Sequence, residues 1–153
     1  AIKLLFKEIN LMNMMNFSIY LFSPILMFML IMVMWLIYPI WVYKLNFTMG
    51  LVFLMCCFSL GVYGMMMSGW SSNSKYSLLG AIRSMAQSIS YEVSLSIIMI
   101  IPILLIDNFN LVNLNYMQSM GNWLIIFMWP LSLMFFFSIM AELNRTPFDF
   151  SEG

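Results

Sequence analysis

Glu92 is the one acid in a long, weakly polar stretch, LLGAIRSMAQSISYEVSLSII, and the residue types around it recur at a fixed interval. Ser84, Ser88, Glu92 and Ser96 stand four apart, and Arg83, Gln87 and Tyr91 form a second row with the same spacing. On a helix both rows stack, giving a hydrophilic strip on one face. If Arg83 marks a membrane interface, the nine residues to Glu92 place its carboxyl about 14 Å deeper, near the middle of a bilayer. An ionised carboxylate there costs at least about 2.5 to 3.5 kcal/mol, so a proton is taken up readily and becomes exchangeable. That is the property a proton relay requires. The competing reading is a neutral Glu that fixes helix packing by hydrogen bonding to Ser88 or to a neighbouring helix.

A second group closes the chain, in AELNRTPFDFSEG, where Glu142, Arg145, Phe148, Asp149 and Glu152 fall within eleven positions. Ser138 and Glu142 are again four apart, and Glu142 lies about 29 Å of helical rise beyond Trp123, at the mouth of a span. Pro147 is expected to end that helix and to bias Thr146 away from the α region. PFDFSEG then alternates aromatic with acidic or polar residues. It is either an irregular segment folded back against the helices to line a cavity, or a solvated anionic loop.

Other chemistry is sparse. The chain has no histidine, which removes most zinc sites, haem ligation through His and every Ser-His or Cys-His mechanism. Cys56 and Cys57 are adjacent in an apolar run and read as small core hydrophobes, and the nineteen methionines are scattered apolar filler. No metal site is expected. Six basic and six acidic residues balance to zero net charge, so nucleic acid is not an indicated partner.

The elements that must position these acids follow from hydropathy. The chain is 63% hydrophobic and 8% charged, against roughly a quarter charged in soluble domains. An all-α polytopic membrane helix bundle, a single membrane domain over 1–153, is the expected fold. Four windows are long enough to cross, about 20 residues each: 17–38, 47–67, 77–106 and 123–141. Pro24, Pro102 and Pro130 lie inside these windows. Residues 1–10, with Ile2, Leu5, Phe6 and Ile9 on one helical face, suit a short interfacial helix or a frayed stub. With four crossings, Lys3, Lys7, Lys75, Arg83 and Arg145 share one side and Lys44 holds the other. The positive-inside rule turns the five-residue side, and both ends, toward the cytoplasm or the mitochondrial matrix. Residues 142–153 then begin a loop on that side, and the abrupt start and stop suggest an internal fragment.

AELNRTPFDFSEG and SGWSSNSKYSLLGAIRSMAQSISYEVSLSI together resemble the subunit 1 family of the respiratory NADH:ubiquinone oxidoreductases, and AIKLLFKE is similar to the tail of that family's first loop. Leu143 stands where the family often has Thr, and Ile9 where many members have Pro or Gln. The resemblance implies a mitochondrially encoded, multi-pass subunit of the inner membrane, not catalytic alone, with its ends in the matrix. It further implies a chamber for ubiquinone between membrane and peripheral-arm subunits, with NADH, FMN and iron-sulfur clusters on partners and no cofactor on this chain. Glu92 and Glu142 match the family's buried carboxylate path to the proton pumps, and Asp149 and Glu152 begin the acidic loop bordering the chamber. Arg145, Phe148 and Arg83 match positions near the same face, the arginines holding carboxylates or phospholipid. Two other functions remain open on the residues alone. One is a cation transporter or channel subunit, which calls for repeated halves or a filter loop; the other is a purely structural membrane anchor.

Overall fold

A computed structural model describes residues 2–8, 11, 13–38, 47–121 and 123–150, and every regular element among them is an α-helix. The order is α1 (Ile2–Leu5), α2 (Phe17–Met34), α3 (Gly50–Ser71), α4 (Lys75–Leu104), α5 (Leu111–Ser119), α6 (Leu124–Phe127) and α7 (Trp129–Glu142). Three stretches are long and apolar enough to cross a membrane: Phe17–Ile37, Gly50–Ser71 and Lys75–Leu104. At 1.5 Å per residue, even the shortest spans about 30 Å. The interfacial helix expected over residues 1–10 is a single turn, and Lys44 and Glu152 lie outside the described residues.

The burial pattern is the reverse of a water-soluble domain. Phe22, Phe28, Ile89, Val93, Ile97 and Phe137 are exposed, whereas Ser71, Ser84, Gln87, Ser88 and Ser138 are buried. Apolar surface on that scale is untenable in water and costs nothing in lipid. The fold is therefore a membrane helix bundle whose interior holds small and polar side chains alongside Leu51, Leu95 and Ile103.

Two prolines act differently from each other. Within α2, Pro24 has no N–H to offer the carbonyl of Tyr20, and the buried Ser23 hydroxyl donates to that carbonyl at 3.1 Å instead. The helix continues. Pro130 breaks the expected fourth span of 123–141, because it cannot serve the carbonyl of Ile126 and its fixed φ suits the first turn of a new helix. Chain direction changes at Met128, with φ −121° and ψ 50°, and α7 starts at Trp129 with Pro130 in its first turn. The fourth stretch is thus a short α6 and a 14-residue α7 rather than one continuous helix.

Between α3 and α4 the turn is made by SSNS. Asn73 takes the left-handed conformation, φ 50°, and Ser74 caps α4 by accepting from the Ser77 N–H at 3.2 Å. The hydroxyls of Ser72 and Ser77 both donate to the Gly69 carbonyl, at 2.8 and 3.3 Å. The start of α2 is tied to the same end, since the Asn16 N–H donates to the Ser71 carbonyl at 2.9 Å and the Asn73 amide to the Met14 carbonyl at 3.3 Å. Gly69 allows the two helices to approach closely; a side chain there would collide with the methyl of Ala81. By contrast, nothing lies within 4 Å of where a methyl on Gly61 would sit.

Gly69→Val should therefore separate α3 from α4, at about 1 to 3 kcal/mol of overpacking, and lower the amount of assembled protein on native gels. Gly61→Ala should leave that amount unchanged.

Candidate functional site

Along α4 the polar strip is only partly what its spacing suggests. Ser84 and Ser88 are buried, and Glu92 and Ser96 are half-buried. The serines are satisfied within their own helix: Ser84 donates to the Ala81 carbonyl at 2.9 Å, Ser88 to that of Ser84 at 3.0 Å, and Ser96 to that of Val93 at 2.7 Å. Such back-bonding leaves no hydroxyl of the row for Glu92. Its partner is on α3, where the Ser59 hydroxyl donates to Glu92 Oε1. Ser59 was not foreseen from the sequence, being a lone hydroxyl in the run CCFSLG. The hairpin register would have found it. Ser59 lies ten residues before Gly69 and Glu92 eleven beyond Ala81, so antiparallel helices in contact at Gly69 and Ala81 bring the two to one level.

Glu142 closes α7, and the helix stop there is Asn144 rather than Pro147. Asn144 has φ 49°, its N–H donates to the Ala141 carbonyl at 3.2 Å, and the Arg145 N–H donates to the Met140 carbonyl at 3.1 Å. These two bonds are the Schellman arrangement, in which a left-handed residue satisfies the last carbonyls. Asn is well suited to it because its side chain tolerates that conformation. Pro147 follows in the next turn, with a cis peptide after Thr146 and the Phe148 N–H donating to the Arg145 carbonyl at 2.7 Å.

The segment after that turn folds back. Phe148 meets Tyr91 edge to face, with ring centroids 5.4 Å apart, and Asp149 beside it is half-buried. This favours the folded-back reading of PFDF over a solvated loop. Arg83 and Arg145 are exposed.

The Gln87 amide donates to the Ala141 carbonyl at 2.9 Å, linking the end of α7 to a point twelve residues into α4. Glu142 is therefore level with a point about 18 Å of helical rise from the start of α4 and about 6 Å beyond Arg83. It is half-buried, and Glu92 is near enough to act on its carboxyl electrostatically. Beside it opens a cavity of about 190 Å³, lined by Met27, Phe58, Gly61, Ser88, Glu142 and Asn144 among others. That volume is well above the ~15 Å³ one water requires. Glu142 Oε2, Asn144 Oδ1 and Gln87 Oε1 are buried acceptors without a protein donor. Acceptors so placed favour an arriving proton or a donor group. No cluster of three or more potential metal ligands occurs among the described residues.

Comparison with known proteins settles the lineage. The NADH dehydrogenase family matches residues 1–153, the whole chain. The chain belongs to the NADH dehydrogenase family. Among relatives, the NADH-ubiquinone oxidoreductase chain 1 of Locusta migratoria is 50% identical over all 153 residues, that of Aedes aegypti 46%, and that of the primate Ateles paniscus 42%. The chain spans about half the length of these relatives, 48% or 49% of each.

Within this NADH dehydrogenase family chain, Gln87 holds the turn that carries Glu142. Gln87→Met keeps the volume and removes the donor, which should cost about 1 to 3 kcal/mol at that contact. Hydrogen-deuterium exchange at Leu143–Arg145 should rise, while exchange in α3 stays as in the wild type.

Proposed function

We propose that this chain is part of a core membrane subunit of a proton-translocating NADH:ubiquinone oxidoreductase, in which Glu92 and Glu142 pass a change at the quinone chamber into the membrane as protonation events. The observation that supports this reading is a half-buried Glu142 at the end of α7, within electrostatic reach of the half-buried Glu92 on α4 and beside a cavity with polar acceptors on one wall. Two such acids disfavour being charged together, so the proton on one depends on the state of the other. Ubiquinone is the substrate of the complex in this reading, and NADH, FMN and iron-sulfur clusters belong to partner subunits. The kinship with NADH-ubiquinone oxidoreductase chain 1 proteins supports the oxidoreductase, and the geometry supports the two acids.

The other candidate residues take supporting places. Phe148 and Asp149 border the chamber through the folded-back segment, with Glu152 following them. Arg145 and Arg83 carry positive charge at exposed positions suited to carboxylates of partner subunits or to phospholipid headgroups. The compartment follows from the same reading: a multi-pass subunit of the mitochondrial inner membrane, with the α3–α4 turn and the segment after Glu142 toward the matrix. Residues 142–153 start a matrix-side loop. Peripheral-arm and membrane subunits of the same complex are its partners.

Glu92→Gln and Glu142→Gln, each in a fully assembled complex, should lower quinone-linked proton pumping at least about tenfold, short of the ~10²–10⁴ that positioned proton-transfer groups contribute to a chemical step. Assembly and subunit content should be unchanged. Normal pumping in both variants would sink the relay role and leave a structural anchor.

A further inference from the structure

The hydroxyl of Ser59 has two acceptors and one proton. Its oxygen lies 3.1 Å from the Met55 carbonyl, one turn back on α3, and it also contacts Glu92 Oε1 on α4. A serine hydroxyl donates once and accepts through two lone pairs, so it serves one of these acceptors at a time and can receive a bond from the other direction. The serines of α4 differ: those at 84, 88, 90, 94 and 96 all donate to carbonyls of their own helix. Ser59 instead reaches an ionisable group on a neighbouring helix.

A carboxyl group deep in a membrane needs a partner whichever way it is charged. Ionised, it has only acceptors and requires a donor; protonated, it has an O–H and requires an acceptor. Losing the bond in either state leaves a polar group unsatisfied at low dielectric. A backbone carbonyl could serve only the protonated form, and an amide N–H could not accept the proton which that form must donate.

We propose that Ser59 is a hydroxyl rotor that keeps Glu92 hydrogen-bonded in both protonation states. With Glu92 ionised, the Ser59 O–H donates to Oε1. When Glu92 gains a proton, its carboxyl O–H donates to Ser59 Oγ, and the Ser59 proton turns back to the Met55 carbonyl. Serine keeps its own proton throughout, so no proton passes through it and none is created or lost. Ser59 is thus a positioning residue: it acts through Glu92, and it removes the penalty that would otherwise attach to one of the two states. This rests on the reading of Glu92 as a group that exchanges a proton during turnover.

The test is redox-induced difference infrared spectroscopy and proton-pumping assays on the assembled complex carrying Ser59→Ala, Ser59→Thr or Glu92→Gln. The carbonyl stretch of protonated Glu92 is identified as the band lost in E92Q. In S59A that band should move to higher wavenumber, because the carboxyl O–H loses its acceptor, and pumping turnover should fall about fivefold, the factor separating charged from neutral hydrogen bonds. The KM for quinone should stay the same. S59T, which restores the hydroxyl, should return both the band and the rate. A purely structural role for Ser59 would not move the band. If E92Q abolishes pumping while S59A leaves band and rate as in the wild type, the rotor is overturned and the relay stands. If E92Q removes no band and leaves pumping intact, both fall. Should S59A fail to assemble, Ser59→Cys, a weak donor of similar size, takes its place, and an unshifted band in S59C likewise overturns the proposal.

Discussion

The close approach of α3 and α4 at Gly69 and Ala81 is the constraint on which the rest of the site depends. In lipid there is no hydrophobic drive to bring helices together, so contact relies on small residues that let backbones pack and on polar bonds between them. Here the small residues sit beside a turn in which the Ser72 and Ser77 hydroxyls return to the Gly69 carbonyl and Ser74 caps α4. That fixes the register of a hairpin more than thirty residues long, and register decides which hydroxyl meets Glu92. Slip by a single residue would rotate each helix by about 100° and turn Ser59 away.

The second tie is between α4 and the end of α7. Gln87 holds the Ala141 carbonyl, which also receives the Asn144 N–H, so one oxygen joins two helices and the turn that follows. Because Gln87 and Ala141 are buried and the outer faces are apolar, these few bonds are made where competing water is scarce and each is worth more than it would be on a soluble surface. Glu142 is placed by them indirectly, through the backbone on either side of it.

How much of this was legible beforehand divides by physical scale. Hydropathy over some twenty residues exposed the long helices, because a span's length is fixed by the bilayer. Periodicity exposed the strip on α4, because it belongs to a single helix. Pro130 falls inside an apolar window of the sequence, yet in the structure it stands just within the start of a helix, whereas Pro24 and Pro102 lie within helices that continue past them. Pro147 drew attention from Asn144, which ends α7 three residues earlier through its backbone conformation. The Ser59–Glu92 bond and the level of Glu142 along α4 are hidden for a different reason. Both depend on how one helix is aligned with another, and nothing in a single helix's pattern carries that alignment.

Asn144 does two things with two parts of one residue. Its backbone N–H closes α7 against Ala141, while its side-chain oxygen is one of the buried acceptors beside the cavity. The outgoing chain and the cavity wall are therefore mechanically one piece. A pull on the segment beyond Arg145 is felt as a twist of that wall, so whatever grips the loop from outside has a handle on the space next to Glu142 without entering it.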